Sequence, residues 1–273
     1  MEWSIATQVS QALEEDIGSG DISAELIDPA ARLDTELLLR EDAVLCGTAW
    51  FDEVCRQCDA SIRVRWQAKD GDRVAANTVV CHVSGPARGL LTAERSALNF
   101  LQTLSGTATA TRAYVDRITH SHCKILDTRK TIPQLRLAQK YAVRCGGGMN
   151  HRIGLYDAYL IKENHLAACG GIASAIIRGR ALNPDKLLEV EVETLPQLQQ
   201  AIDAAADRAL LDNFSIEELM QAVALNRGRI ELEASGNISD TTLVEVADTG
   251  VDYISIGALT KHLRAIDFSL RYC

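Results

Sequence analysis

The chain predicts an α/β protein: an α+β N-terminal domain, residues 1–105, packed on an incomplete (distorted) α/β barrel, residues 106–273. The tail 265–273 is a candidate to return to the first domain. Three observations lead there. From about residue 124, short apolar runs alternate with amphipathic stretches, the pattern of parallel strands joined by helical crossovers. Glu191, Asp212, Ala234 and Ile256 stand 21, 22 and 22 residues apart, about one strand–helix unit each, which favours a wound barrel over an irregular sheet. Only six such runs are visible where a full barrel of this kind has eight.

Residues 1–105 read differently. LLLREDAVLCG and IRVRWQAKDGDRVAANTVVCHVSG are strand-rich and broken by turns, and TAERSALNFLQTLSGTATATRAYVDRI is one long helical pattern leading into the second part. The stretch from Lys69 to Val83 resembles the hairpins of biotinyl and lipoyl carrier domains, but no modifiable lysine occupies the tip, so it reads as scaffold. The acidic LEEDIGSGDIS is taken as a solvated helix end and loop rather than a metal site.

The strand runs of the second part are Ile125–Leu126, Tyr159–Ile161, Leu187–Val192, Ala209–Leu211, Ile230–Glu233 and Tyr253–Ile256. PQLRLAQKYAVRC, PQLQQAIDAAAD, SIEELMQAVALNR and SDTTLVEVADTG between them open on Pro or Ser, residues suited to helix starts. In barrels of this type the chemistry gathers beyond the C-terminal ends of the strands. Here those ends carry cations on the first two runs (Arg129, Lys130, Lys162) and carboxylates on the next two (Glu191, Asp212). Generic loop polarity does not account for that split.

Composition narrows the function classes. At 47% hydrophobic the chain can bury a sizeable core, and a formal charge of -9 disfavours a nucleic-acid partner. No run of about 18 apolar residues occurs and the N-terminus lacks a basic-then-apolar leader, so neither export nor membrane spanning is expected; the expected compartment is the cytoplasm. Eight scattered cysteines fit reduced thiols rather than a disulfide framework. Cys55 and Cys58 have C-x-x-C spacing without a second pair, and His120-Ser-His122-Cys123 reads as a polar loop.

Inside this acidic chain, residues 124–162 hold eight Lys/Arg against Asp127 and Asp157, a focused positive field suited to a small polyanion. Burying one carboxylate costs several kcal/mol unless it is paired, so a dicarboxylate calls for several cations. Arg129 and Arg152 supply bidentate forks; Lys130 and Lys162 supply point charges. Ser235-Gly236-Asn237 and Ile256-Gly257-Ala258 follow the last two strands, where glycine lets backbone N–H groups approach a phosphate. Glu191 and Asp212 suit either sugar hydroxyls or a hydrated Mg²⁺.

LDTRKT (126–131), KYAVRCGGGMNHRIGLYDAYLIKENH (140–165), EVEVE (189–193), LLDNF (210–214), EASGNI (233–238) and GVDYISIGAL (250–259) resemble, in order, the motifs of the quinolinate phosphoribosyltransferase family. The resemblance runs from about residue 13 to 270, and the NHR followed by IKxNH is its most specific part. It implies conversion of quinolinate and 5-phosphoribosyl-1-diphosphate, with Mg²⁺, to nicotinate mononucleotide, diphosphate and CO₂, within NAD biosynthesis. It further implies a homodimer with shared active sites, a higher assembly being left open.

By motif, the resemblance sets Arg129, His151, Arg152 and Lys162 around the quinolinate carboxylates, with Arg95 of TAERSALN reaching in from the other subunit. Lys130, Lys162, Glu191 and Asp212 meet diphosphate, ribose and metal, Glu191 and Asp212 holding Mg²⁺ directly or through water. Thr128 joins the substrate-binding set, and Ser235, Gly236, Asn237, Ile256, Gly257 and Ala258 cradle the 5-phosphate. Lys162 is the candidate proton donor after decarboxylation.

The chain departs from the usual TRKTTPG at Ile132 and Gln134, which predicts a less tightly turned loop, and from GALTH at Lys261. A related molybdenum-transport-associated group lacks the NHR/IKxNH combination, so Asn150 and Lys162 argue against it. A non-catalytic sugar-phosphate-binding barrel has no use for the Arg129/Arg152 pair.

Overall fold

The computed structural model describes residues 4–236, 238 and 241–272 and divides into two compact units. The first comprises 1–112, 131–147 and 259–273; the second comprises 113–130 and 148–258.

In the first unit, α1 (Ile5–Ile17) is capped by Ser4, whose side chain accepts the Thr7 N–H. A single 3₁₀ turn, Ala24–Leu26, follows. The strands are β1 (Arg32–Leu39), β2 (Ala43–Val44), β3 (Arg63–Trp66), β4 (Arg73–Val74) and β5 (Thr78–Pro86), with α2 (Thr48–Cys58) between β2 and β3. The helix α3 (Ala87–Arg117) then runs 31 residues, and Ala93, Ala97, Leu101, Leu104 and Ala108 repeat at helical spacing to bury one stripe. The C-terminal strand, β12 in chain order (Phe268–Tyr272), pairs antiparallel with β1, giving a four-stranded sheet in the order β12-β1-β5-β3; β2 and β4 form a separate pair. Leu37, Leu39, Val80, Cys81, Phe51 and Val54 build the core of this unit with the buried stripe of α3.

The second unit is the wound sheet. Its strands are β6 (Lys124–Leu126), β7 (Tyr159–Ile161), β8 (Leu188–Val192), β9 (Arg208–Asp212), β10 (Glu231–Ser235) and β11 (Tyr253–Ser255), all parallel, in the order β6-β11-β10-β9-β8-β7. That is the chain order of a six-stranded barrel opened at one seam, with β6 and β7 as its edges. At the seam, Met149 makes a single parallel bridge to Leu126.

Five helices connect the strands in this unit once α4 (Arg136–Cys145), which belongs to the first unit, is set aside: α5 (Glu163–Cys169), α6 (Ile172–Leu182), α7 (Leu195–Asp203), α8 (Ile216–Asn226) and α9 (Leu243–Asp248). Their starts follow local chemistry. Ser215 and Glu218 form a reciprocal capping box on α8, and Thr194 caps α7 with Pro196 in its first turn. Ser239 and Asp240, expected to open α9, lie outside the described residues. A last short helix, α10 (Ala258–Lys261), precedes β12.

Gln134 occupies the place where the resembled family carries glycine, and the expected loosening of that turn is not found. Gln134 itself takes φ +65°, the left-handed conformation that glycine adopts freely, and its carbonyl accepts a hydrogen bond from Gln8 Nε2 at 3.0 Å. The turn is kept at a cost of about 1–2 kcal/mol in backbone strain. Ile132, the other departure in this loop, donates its N–H to Gln139 Oε1 at 2.8 Å.

Candidate active site

Strand register decides which side chains face the barrel interior. Residues paired across parallel strands share a face, and faces alternate along each strand. Glu189, Arg208 and Glu231 fall in one row, and Asp212 is level with Ser235. The opposite face carries Leu188, Val190, Val192, Ala209, Leu211 and Ile254, all fully buried. The interior of this barrel is therefore charged at its base.

That base is a closed network. Arg208 sends Nε and Nη2 to Glu231 Oε2 at 3.1 and 2.7 Å, and its Nη1 lies 3.5 Å from Glu233 Oε2. Its guanidinium sits 4.1 Å from the centre of the Tyr253 ring, whose hydroxyl donates to Glu231 Oε1 at 3.0 Å. Asp127, at the end of β6, accepts the His151 N–H at 2.9 Å and Asn150 Nδ2 at 2.6 Å, which orients the segment carrying His151.

His151 Nδ1 accepts the Arg152 N–H at 2.7 Å, so the ring proton is on Nε2, which lies 2.9 Å from Glu189 Oε2 and 3.5 Å from Glu233 Oε2. Glu189 and Glu233 are wholly buried, and none of their carboxylate oxygens accepts a hydrogen bond of good geometry. Burial pushes Glu189 up to about 6; burial, and then the charge of Glu189, pushes Glu233 up to about 8. Near neutral pH the pair retains a proton.

Above this base lies the rim. Lys162 directly follows β7; its ammonium pairs with Glu191, and its N–H is accepted by His165 Nδ1 at 3.0 Å. Asp212 is pushed up by burial and by the charge of Glu191, against the opposing pull of Lys162 and Lys130. Thr128 Oγ1 accepts the Lys130 N–H at 3.0 Å. The Lys130 stem passes Gly257 so closely that a Cβ there would stand 2.9 Å from Lys130 Cδ and would displace that side chain. At Gly236 φ is +92°, and a Cβ would meet Asn213 Oδ1 at 2.2 Å.

A cavity of about 470 Å³ opens on the same side, with Arg129, Arg152, Lys162, His165 and Arg178 as its cationic or protonatable walls and an apolar wall that includes Leu160. Arg152 is held below its usual value first by burial and next by the charge of Arg129, so the two guanidiniums stand close enough to repel. Among the described residues no carboxylate lines this cavity, a wall chemistry suited to an anion.

The structure thus brings Arg129, Arg152 and Lys162 to one cavity, and Thr128, Lys130, Gly257, Glu191 and Asp212 to the adjoining rim. His151 is not a wall of the cavity: its ring turns into the base, against Glu189 and Glu233. Ile256 is buried and offers only backbone, its N–H donating to Leu126 O at 3.0 Å; Ala258 begins α10. Arg95 is exposed on α3 in the first unit, and Asn237 lies outside the described residues. Sequence reasoning missed Arg178, Glu189, Arg208 and Glu233. The period-2 spacing of Glu189 with Glu191, and of Glu231 with Glu233 and Ser235, was the available signal for a polar interior.

A parallel strand–helix barrel with cations facing acids across its C-terminal rim defines a phosphorylated-anion-handling enzyme of the α/β barrel class. The family models for the quinolinate phosphoribosyl transferase N-terminal and C-terminal domains match residues 21–105 and 107–271. The chain belongs to the quinolinate phosphoribosyltransferase family. It is 40% identical over 94% of its length to a probable nicotinate-nucleotide pyrophosphorylase [carboxylating] of Bacillus subtilis, covering 89% of that protein. To the nicotinate-nucleotide pyrophosphorylase [carboxylating] of Mycobacterium leprae it is 41% identical, with 96% and 95% covered. The solved nicotinate-nucleotide pyrophosphorylase of Francisella tularensis superposes with a TM-score of 0.96 at 50% identity, covering 100% of this chain and 98% of that one.

Proposed function

We propose that this chain transfers the 5-phosphoribosyl group from 5-phosphoribosyl-1-diphosphate to quinolinate and releases CO₂, forming nicotinate mononucleotide, with the acceptor held in the cationic cavity. The observation that carries the substrate assignment is the convergence of Arg129, Arg152 and Lys162 on one cavity whose described walls hold no carboxylate. Burial and then the charge of Arg129 hold Arg152 below its usual value, and a dianion offsets the second of these. A monocarboxylate relieves less of it.

Each group then has a physical role. The two guanidiniums fix the ring by its carboxylates, aligning its nitrogen with the ribose carbon that diphosphate leaves. Lys130 and Lys162 stabilise charge growing on the departing diphosphate. Once the ring nitrogen is alkylated, the pyridinium draws in the electron pair released as the 2-carboxylate departs, and Lys162, beside the cavity, supplies the proton to that carbon. His151 holds the segment bearing Arg152 through its Nδ1, a positioning role that replaces direct substrate contact in this reading. Gly236 and Gly257 let Asn213 and Lys130 pack closely against the two strand-end loops assigned to the 5-phosphate.

Glu191 and Asp212 would hold a divalent cation: Asp212 is pushed up by burial and then by the charge of Glu191, and a bound cation would offset the latter. Mg²⁺ held there neutralises diphosphate charge when bound. Arg95, exposed on α3, is assigned to the site of a second subunit, so the working form is a homodimer. The chemistry is assigned to residues 106–273, and the two family models, which divide between 105 and 107, support that division. No helix among the described residues is long and apolar enough to cross a membrane. The compartment proposed is the cytoplasm.

The test is turnover of ring-labelled quinolinate with 5-phosphoribosyl-1-diphosphate and Mg²⁺. Equimolar CO₂ and nicotinate mononucleotide are expected; mononucleotide from nicotinate without CO₂ would overturn the assignment.

A further inference from the structure

The first unit contains a second convergence of donor groups. Cys46 Sγ, Cys145 Sγ and a carboxylate oxygen of Asp70 all lie within 4.8 Å of one another. They come from three separate segments: the approach to α2, the turn before β4, and the last residue of α4. None belongs to the C-x-x-C pair that the sequence displays.

Each donor is held by its surroundings. The Cys46 N–H donates to Ser105 Oγ at 3.0 Å, and the Ser105 hydroxyl donates back to the Cys46 carbonyl at 3.1 Å, both inside the core. Asp70 Oδ1 accepts the Gly47 and Thr48 N–H groups at 3.1 Å each, and Oδ2 accepts the Tyr141 hydroxyl at 2.8 Å. The Cys145 carbonyl accepts Arg112 Nη2 at 3.3 Å. Partners of this kind orient first-contact ligands in metal sites.

We infer that Cys46, Asp70 and Cys145 form a three-donor site for a thiophilic divalent cation, Zn²⁺ foremost. Two sulfurs bound at about 2.3 Å in tetrahedral geometry stand about 3.8 Å apart, within the observed spread. Two thiolates and one carboxylate carry three negative charges, which a hard cation such as Mg²⁺ does not select. Cys46 is fully buried, whereas Asp70, Tyr141 and Cys145 are half-buried, leaving a water or the Tyr141 oxygen for the fourth position and a route of entry. Binding releases the thiol protons.

The buried His151–Glu189–Glu233 group also has ligand spacing, but Arg208 already stands 3.5 Å from Glu233 and competes with any added cation.

The test uses the full chain, reduced and stripped with a chelator, in excess Mg²⁺. Zn²⁺ titrated against a chromophoric competitor is expected to bind at one equivalent per chain. Co²⁺ is expected to give thiolate-to-metal charge-transfer absorption and tetrahedral d–d bands. Cys145→Ser and Asp70→Asn, checked for folding by near-UV circular dichroism, are expected to weaken Zn²⁺ binding at least 10-fold, the scale seen even for outer-shell losses. Absence of a stoichiometric Zn²⁺, an octahedral Co²⁺ spectrum, or unchanged affinity in folded Cys145→Ser would each overturn the site. Turnover of quinolinate is not the readout, so the outcome is independent of the proposed activity.

Discussion

At the residue scale, the decisive contrast is between like charges gathered on a cavity wall and charges buried in the base of the barrel. Arg152 illustrates the first: held below its usual value by burial and then by the charge of Arg129, it gains from a dianion bound beside it. Arg152→Lys keeps the charge but loses the planar fork. A charge-assisted hydrogen bond is worth about 1.5–3 kcal/mol, so kcat/KM for quinolinate is expected to fall roughly 10- to 100-fold, measured by steady-state kinetics.

Glu233 illustrates the second. Its folded value is raised from 4.5 to about 8, so its contribution to stability is complete below the ordinary carboxylate value and is lost as pH rises through about 8. Glu233→Gln cannot titrate. Thermal unfolding at pH 5 and pH 8.5 is expected to show the variant gaining on wild type with rising pH, by on the order of 2 kcal/mol across that range. An unchanged difference would show that Glu233 is ionised throughout.

At the element scale, the strands of the barrel were legible because apolar runs and helix starts repeat with one period, and each run found a strand within about two residues. The helix openings at Thr194 and Ser215 were readable for the same reason: capping chemistry is local. What the interior of the barrel holds was less legible. Nothing in the sequence separates Glu189 and Glu233 from Glu191, and only the fold shows them wholly buried, beside His151 and, for Glu233, Arg208. The convergence of Cys46 with Cys145 was hidden because it depends on long-range contacts.

The turn at Gln134 is also decided at this scale. A non-glycine residue at φ +65° stores strain, so Gln134→Gly is expected to raise stability by about 1 kcal/mol after the added chain entropy is subtracted, read as a shift in chemical-denaturation midpoint. At β11, the opposite substitution is informative. Gly257→Ala puts a methyl group 2.9 Å from Lys130 Cδ, and is expected to raise KM for 5-phosphoribosyl-1-diphosphate several-fold while leaving folding intact.

For the whole molecule, the chain joins an acidic surface to a cation-rich cavity, and the -9 formal charge keeps that field local. The homodimer reading is tested by mixing Arg95→Ala chains with Lys162→Ala chains after verified subunit exchange: partial recovery of activity is expected, since one site in a mixed dimer then has both residues. The whole account turns on a cavity that reads two carboxylates. The most direct measurement is calorimetric titration of the protein with quinolinate and, separately, with nicotinate at one salt concentration. Quinolinate is expected to bind at least 10-fold more tightly, with Arg152→Ala erasing most of the difference; equal affinities, or a preference that survives that substitution, would contradict it.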